Sequence, residues 1–445
     1  MLNIKIKPHR EFLPADQPNQ KLFVMLKLRP NQEISNTRPP TNFAFVIDTS
    51  GSMYEGVTSA SFSTGKKTKL DIVVESLYHL IHSGRLSESD RLTIIQFHDQ
   101  ASTLIGLTPA IYTQQIESVI GQLYNYSGGT NMALGMSETL KIMTQDQQMS
   151  ARRALIFTDG QTVDEDQCRE LAHHFASLNI PITALGVGDY AENLLVYLSD
   201  STGGRLHHIT PHQTSSIAVS INDLPATILS EFSQAQKEVI TNLALTVKTV
   251  KGVTLTQVFR AYPTLAEFPL INAPYPLGNA EANEETVFIL EFNIDSRNAA
   301  RVRIAQVSLT YAIPGQNRRG ELPIQDLVVE FIPGQLGVQN DPEVMGYIQQ
   351  CNLSKMLENA TNLAESDPEK AQQILANAQR ITQRLGNSRL TQSLGEAQNE
   401  LRQTRKISPE TRKTVKMGSK GKTVRMNDDI NEQLSEEEIR KYAGN

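Results

Sequence analysis

Residues 43–53 read FAFVIDTSGSM, an apolar run followed directly by a turn rich in hydroxyl groups. The run Phe43–Ile47 has no polar residue, which is typical of a strand buried on both faces of a mostly parallel sheet. The chain then turns through Ser50 and Ser52. In open parallel sheets, ligands bind where loops leave the carboxyl ends of the strands. We therefore predict a functional loop that starts at Asp48.

The segment from residue 41 to residue 225 repeats this pattern. Further short apolar runs follow at Leu92–Phe97, Ala154–Thr158, Ile182–Val187 and Leu206–Ile209. Between the runs lie amphipathic stretches, of which Leu70–Ile81 and Met132–Met143 are the clearest. Strands that alternate with helices predict an α/β fold, a doubly wound domain with a mostly parallel sheet.

Residues 226–335 have a different period. Alternation and β-branched residues without an intervening helix predict an antiparallel sheet or small β-sandwich domain. The runs are Val239–Val250, Val253–Phe259, Thr286–Ile294, Val302–Tyr311 and Leu327–Ile332. Residues 1–40 contain two strand-like runs, Leu2–Ile6 and Leu22–Leu28. We expect these N-terminal strands to pack on the β domain, so that the α/β domain is inserted within it.

The last quarter of the chain divides into two segments. Residues 342–405 carry apolar residues at helical spacing and predict two or three antiparallel helices. Residues 406–445 have low hydrophobicity and segregated charge, with nine basic residues and one acidic residue from Arg402 to Arg425 and mostly acidic charge from Asp428 to Glu438. Such a composition predicts a disordered tail.

Three loops at strand ends or helix starts carry oxygen donors. Asp48, Ser50 and Ser52 form a D-x-S-x-S turn, Thr130 follows two glycines at a helix start, and Asp159 follows the run Ala154–Thr158. Two carboxylates and three hydroxyls are hard donors that suit Mg²⁺, with Mn²⁺ or Ca²⁺ as alternatives. With only two negative charges around it, such a metal would gain from one more carboxylate supplied by a binding partner.

The order DTSGS, GGT and TDG resembles the metal-ion-dependent adhesion site, or MIDAS, of von Willebrand factor A (vWA) domains, over roughly residues 41–225. The resemblance implies a Rossmann-like sheet with helices on both faces. It also implies that Ser50 and Ser52 contact the metal directly, that Asp48 and Asp159 stand close behind, and that Thr130 binds in the open form. A Glu or Asp of a partner protein would take the sixth position.

The leading hypothesis is therefore an Mg²⁺-dependent protein-interaction scaffold that binds an acidic residue of a partner. A second hypothesis is a regulatory or substrate-recruiting subunit of a larger machine such as an AAA+ ATPase, which would use the same metal face. A third, enzymatic hypothesis is a Mg²⁺-dependent hydrolase, for which Glu55 is the one nearby candidate base. We expect that the protein is not an enzyme, because the sequence contains neither a nucleophile motif nor a P-loop. The long loop between Ser52 and Leu70 is predicted to contact the partner or to set selectivity, and the alternative is a disordered insert.

The tail contains a short repeat, RKTVKM at 412–417 and GKTVRM at 421–426. Upstream basic residues suit basophilic Ser/Thr kinases, and phosphorylation would add roughly −1.5 to −2 charges at each threonine. Thr414 and Thr423 are therefore candidate phosphorylation sites. The Met three residues after each threonine resembles ligands of forkhead-associated domains. The alternative is a plain basic tail that binds acidic surfaces or solubilises the chain.

Composition sets the broad class of the protein. The formal net charge of −6 gives no reason to expect nucleic acid or an anionic membrane as partner. Only two cysteines occur, Cys168 and Cys351, which favours free thiols in a reducing compartment. No apolar stretch reaches the length of a membrane span, and the N-terminus lacks the apolar core of a signal peptide. These features predict a cytoplasmic protein, and its resemblance is to bacterial intracellular vWA proteins.

Overall fold

A computed structural model describes residues 2–56, 67–146, 148–211, 217–334 and 340–426. Most of the predicted partner-contact loop, at residues 57–66, and the acidic end of the tail, at residues 427–445, lie outside these ranges. The chain divides into two compact units. The β/helical unit contains residues 1–31, 243–311 and 320–445, and the α/β unit contains residues 32–242 and 312–319.

The strands and helices are numbered in chain order. The first three strands are β1 (Leu2–Pro8), β2 (Phe12–Pro14) and β3 (Gln20–Pro30). Seven strands follow, β4 (Thr41–Asp48), β5 (Arg91–Phe97), β6 (Ala101–Pro109), β7 (Ala151–Thr158), β8 (Ile182–Val187), β9 (Arg205–Thr210) and β10 (Val219–Ser220). The remaining strands are β11 (Ile240–Thr249), β12 (Val253–Tyr262), β13 (Ala266–Phe268), β14 (Tyr275–Ala280), β15 (Thr286–Ile294), β16 (Ala300–Ile313) and β17 (Arg318–Ile332).

Helices are numbered in the same way. Those before residue 240 are α1 (Gln32–Ser35), α2 (Lys69–Ile81), α3 (Thr113–Ile120), α4 (Met132–Met143), α5 (Glu165–Ser177), α6 (Glu192–Thr202) and α7 (Leu224–Ala235). Those after residue 340 are α8 (Pro342–Leu363), α9 (Pro368–Arg384), α10 (Ser388–Thr404) and α11 (Pro409–Lys420). None of the described helices is both long enough and apolar enough to cross a membrane.

The α/β unit is built on a seven-stranded sheet in the order β10-β9-β8-β7-β4-β5-β6. Neighbouring strands run parallel except at the edge, where β6 is antiparallel to β5. Every residue of β4 is buried, because two apolar clusters cover the two faces of the sheet. After β4, the chain adds β5 and β6 on one side of that strand and then β7 to β10 on the other side. The ends of β4 and β7 therefore form the topological switch point at which such sheets bind ligands.

Two features of this unit differ from the sequence prediction. Strand β6 escaped prediction because it is an edge strand of mixed polarity, with only Ile105 and Thr108 buried. Helix α7 belongs to the α/β unit, whereas the predicted boundary fell at residue 225. The helix packs on α2, and its Phe232 ring lies 5.5 Å from the ring of Phe43 on β4. Burial of that apolar face fixes α7 to the sheet.

The β/helical unit contains two five-stranded sheets. One has the order β1-β3-β15-β12-β13 and the other the order β14-β11-β16-β17-β2. Strand β3 pairs with β1 and with β15, so an N-terminal strand lies inside the first sheet. Helix α8 packs on β12 and β3. The helix covers one face of the first sheet, which explains why all but one residue of β15 is buried.

The four helices of this unit form a bundle in which each helix packs on two others. Helix α8 packs on α9, α9 on α10, α10 on α11, and α11 returns to α8. The fourth helix contradicts the predicted disordered tail over residues 409–420. Helix α11 begins at Pro409 after a Ser408 cap whose hydroxyl accepts from the Thr411 backbone N–H, and it buries Val415 and Met417. Burial of this apolar face against α8 and α10 offsets the ordering entropy that the polar composition suggested would dominate.

Hydrogen bonds also fix the residues that follow α11 to the rest of the unit. The Thr423 hydroxyl donates to the Ala261 carbonyl at 2.7 Å, and the Thr423 N–H donates to the Pro263 carbonyl at 2.9 Å. The Gln350 side chain bonds both the N–H and the C=O of Val424, each at 2.8 Å. Thr414 is only 5% exposed and Thr423 only 8% exposed. Phosphorylation of either residue stays a prediction, and a kinase would reach them only after this segment detaches.

Thr423→Glu is expected to lower the free energy of unfolding of the β/helical unit by about 1–3 kcal/mol. The substitution removes the hydroxyl that satisfies the Ala261 carbonyl and introduces a carboxylate at a buried position. Urea unfolding followed by circular dichroism measures the effect. Thr254→Glu, at an exposed position of β12, is the matched control and is expected to change stability by less than about 0.5 kcal/mol. Equal shifts in the two variants would contradict the observed docking of Thr423.

Candidate metal centre

Asp48 ends β4 with its carboxylate fully buried. One carboxylate oxygen accepts the Ser50 backbone N–H at 2.8 Å, and the other accepts the Thr158 hydroxyl at 2.7 Å. Burial raises the pKa of Asp48 to about 6, the hydrogen bonds from Ser50 and Thr158 oppose that shift, and the nearby Asp159 carboxylate adds to it. Buried carboxylates with a perturbed pKa are common at functional sites.

Ser50 and Ser52 lie on the turn after β4. Their hydroxyl oxygens are 3.2 Å apart, and the Ser52 hydroxyl donates to Asp159 Oδ1 at 2.7 Å. The turn is fixed by Gly51, whose N–H donates to the Gly128 carbonyl at 3.0 Å. Asp159, which follows β7, has a side chain with no exposed surface. The ends of β4 and β7 thus bring two carboxylates and two hydroxyls together at the switch point.

Thr130 lies on the third loop. A Cβ built on Gly160 would be 3.8 Å from the Thr130 hydroxyl oxygen and 3.9 Å from that of Ser52, so both hydroxyls face the same small space. The Thr130 carbonyl accepts from the Thr162 hydroxyl at 3.0 Å and from the Val163 N–H at 3.3 Å. All five predicted residues are therefore located on adjacent loops at one edge of the sheet.

Steric crowding by Asp99 explains why two glycines precede Thr130. The Gly129 N–H donates to the Asp99 carboxylate at 2.8 Å. A Cβ on Gly128 or on Gly129 would come within 2.4 Å of a carboxylate oxygen of Asp99, which is closer than real Cβ contacts. The two glycines thus allow Asp99 to hold the loop. Asp99 is a site residue that sequence reasoning missed, although its place just after β5 was a signal.

Lys69 is the second missed residue. Its ammonium lies 2.5 Å from Asp159 Oδ2, 3.2 Å from the Ser52 carbonyl and 3.7 Å from Glu55. The Lys69 side chain is 13% exposed, whereas that of Glu55 is 72% exposed. The signal for Lys69 was its position as the first residue of α2, directly after the Thr68 cap, because that helix begins at the same edge of the sheet.

The donor set fits a hard divalent cation. The oxygens of Asp48, Asp159, Ser50, Ser52 and Thr130 include two carboxylates and three neutral hydroxyls, which is the chemistry that Mg²⁺ prefers. Across the described part of the chain, no cluster of three or more His, Cys, Asp or Glu side chains could hold a metal. A cation at this edge would therefore depend on the serine and threonine hydroxyls for the rest of its ligands.

Comparisons with known proteins agree with this architecture. Residues 43–161 match the von Willebrand factor type A domain, and residues 342–425 match the Sll0103-like, C-terminal alpha-helical domain. A search of curated proteins found no match. The chain thus contains a vWA domain and, after it, a C-terminal helical domain of the Sll0103-like kind.

Two solved structures are similar over nearly the whole chain. One is a von Willebrand factor type A protein from Catenulispora acidiphila, with 17% identity, a TM-score of 0.75, and coverage of 95% of this chain and 97% of that chain. The other is the ArnB paralog VWA2 from Sulfolobus acidocaldarius, with 17% identity, a TM-score of 0.59, and coverage of 94% and 99%. At these identities the likeness establishes the fold alone.

Proposed function

We propose that this protein is a Mg²⁺-dependent interaction scaffold whose vWA domain binds an acidic side chain of a partner protein. The observation that supports the proposal most strongly is the convergence of Asp48, Ser50, Ser52, Thr130 and Asp159 at the switch point of the sheet. Such domains commonly mediate protein–protein interaction. The free, buried Cys168 and Cys351 agree with a reducing, cytoplasmic setting.

The hydroxyl and carboxylate side chains of the site would have different roles. The hydroxyls of Ser50, Ser52 and Thr130 would hold the cation, and the carboxylates of Asp48 and Asp159 would neutralise part of its charge. Bound there, Mg²⁺ supplies an electrophile for an incoming carboxylate. One carboxylate contact gives little affinity alone, so the surrounding loops would set the strength and the specificity of binding.

The proposal predicts that the partner is captured in Mg²⁺ and lost both in EDTA and in the Asp48→Asn variant. The immobilised full-length protein is incubated with lysate of its source organism, and the retained proteins are identified by mass spectrometry. Asp166→Asn, an exposed carboxylate on α5, is the matched control and should retain the same proteins as the wild type. An identical set of proteins in Mg²⁺, in EDTA and with Asp48→Asn would overturn the proposal.

A further inference from the structure

The ammonium of Lys69 lies within the candidate metal centre, beside a residue that would serve the cation. Asp159 has two carboxylate oxygens: Oδ1 accepts the Ser52 hydroxyl at 2.7 Å and Oδ2 pairs with Lys69 at 2.5 Å. Since the Asp159 side chain has no exposed surface and that of Lys69 is only 13% exposed, solvent screens this pair weakly. The site therefore contains a cation supplied by the chain itself.

The position of Lys69 is fixed by the backbone. The Lys69 N–H donates to the Glu55 carbonyl at 3.2 Å, which ties the start of α2 to the turn that carries Ser52. Next to it, Thr68 and Asp71 form a reciprocal capping pair, with bonds of 2.7 and 3.1 Å. The side chain then reaches the Ser52 carbonyl at 3.2 Å as well as Asp159. The backbone bond, the two bonds of the cap and the two contacts of the ammonium thus hold Lys69 against the candidate ligands.

We infer that the Lys69 ammonium opposes divalent-cation binding at this site and keeps the affinity of the free protein for Mg²⁺ low. The inference rests on the proposed function, because it concerns the same cation. The two buried carboxylates alone would neutralise a divalent ion, whereas the buried Lys69 ammonium leaves a residual positive charge, because the Glu55 carboxylate near it is 72% exposed and screened by solvent. That residual charge attracts an acidic side chain of a partner. By linkage, the partner and the cation then strengthen each other's binding.

The test is a calorimetric titration of the metal-free full-length protein with Mg²⁺, and with Mn²⁺, at one ionic strength. Lys69→Gln removes the charge but keeps a hydrogen-bond donor for Asp159. A unit charge within a few ångströms of a divalent ion in a partly buried site weakens binding by a factor of ten or more, so we expect Lys69→Gln to bind Mg²⁺ about 10- to 100-fold more tightly than the wild type. Lys69→Arg keeps the charge and is expected to stay within about twofold of the wild type.

The matched control is Lys67→Gln, which removes the same charge two residues away. Lys67 pairs with Glu75 at 2.7 Å on the exposed surface, where both side chains are at least half exposed. Its replacement is expected to change Mg²⁺ affinity by less than about twofold, because solvent screens it. Lys69→Met is a second neutral variant, and thermal unfolding in EDTA confirms that each variant folds.

The outcomes separate this inference from the proposed function. If the wild type binds Mg²⁺, Asp48→Asn does not, and both Lys69→Gln and Lys69→Met bind no more tightly than the wild type, the ammonium is a structural ion pair. The inference is then wrong while the proposed function stands. If the wild type, Asp48→Asn and both neutral Lys69 variants all give the same titration, the metal centre itself is wrong and both ideas fall. Tighter binding in both neutral Lys69 variants, with Lys67→Gln unchanged, supports the inference.

Discussion

Arg153→Met is expected to lower the free energy of unfolding of the vWA domain by about 3–5 kcal/mol, because it removes the most buried cation, which pairs with two carboxylates, from a buried ionic cluster. Arg153, on β7, has a side chain that is 3% exposed. Its guanidinium donates to Glu231 at 2.6 Å and also pairs with Glu238. Both carboxylates would remain buried in the variant, next to a methionine that cannot hydrogen-bond to them.

The charge of Glu231 shows how far the cluster depends on its cations. Burial alone would raise the pKa of Glu231, but Arg205, a hydrogen bond from His207, and Arg153 together hold that pKa well below its usual range. The carboxylate is therefore ionised and has to be paired. Because Glu231 lies on α7 and Arg153 on β7, the cluster also ties the last helix of the domain to its sheet.

Urea unfolding followed by circular dichroism measures the loss. Arg169→Met is the matched control, since Arg169 forms an i, i+4 pair with Glu165 on the partly exposed face of α5 and should cost no more than about 1 kcal/mol. Pairing Arg153→Met with Glu238→Gln is expected to recover part of the stability, because one uncompensated carboxylate is then gone. Equal losses in the two single Arg→Met variants would show that the cluster contributes no more than a surface pair.

The sequence predicted the α/β domain best where hydrophobic periodicity was strongest. Strand β4 is buried along its whole length and the structure places it at Thr41–Asp48, around the predicted run Phe43–Ile47. The amphipathic stretch Met132–Met143 coincides with α4. In these elements local pattern and tertiary burial agree, which is the condition under which sequence reasoning succeeds.

The prediction of a disordered tail was wrong for α11, because the high charge of the segment was given more weight than its helix-start residues and its short apolar face. The stretch after residue 405 is rich in basic residues, yet Ser408 followed by Pro409 is a helix-start signal, and Val415 and Met417 supply an apolar face. Even Lys413 is buried in α11. Long basic side chains cover apolar surface with their methylene groups, so a high count of basic residues does not by itself predict disorder.

The candidate metal centre was only partly readable from sequence. The five predicted residues lie in motifs with strong local signatures. Lys69 and Asp99 do not, because their roles depend on where a side chain ends in space: Lys69 meets a carboxylate 90 positions away, and Asp99 contacts a loop 30 positions away. No periodicity or spacing rule connects such pairs. The sheet topology brings them to one edge, since Lys69 is the first residue of α2 and Asp99 follows the end of β5.

Asp48→Asn is expected to raise the free energy of unfolding of the metal-free protein by up to about 3 kcal/mol at pH 7.5, while it abolishes metal binding. Burial, with a smaller contribution from Asp159, raises the pKa of Asp48 from its ordinary value of 3.8 to about 6. A raised carboxyl pKa means that the folded state binds the proton more tightly than the unfolded state. Stability from this group is therefore present at low pH and lost as pH rises from about 4 to about 6.

The pH profile tests the assignment. In EDTA, the difference in free energy of unfolding between Asp48→Asn and the wild type should reach its full value at pH 7.5. It should fall by roughly half at pH 5, where the wild-type carboxyl is mostly protonated in the folded state. The asparagine can still accept the Ser50 N–H and can donate to the Thr158 hydroxyl, so the two bonds of Asp48 have replacements.

Saturating Mg²⁺ should reverse the order of stability, because only the wild type gains the free energy of metal binding. A variant that is more stable without metal and inactive with it cannot owe its loss of binding to misfolding. Conversely, an Asp48→Asn variant less stable than the wild type at pH 7.5 in EDTA would show that the carboxylate is structural. A buried charge kept at the expense of stability is instead what a functional site requires, since proteins retain destabilising groups where binding or chemistry depends on them.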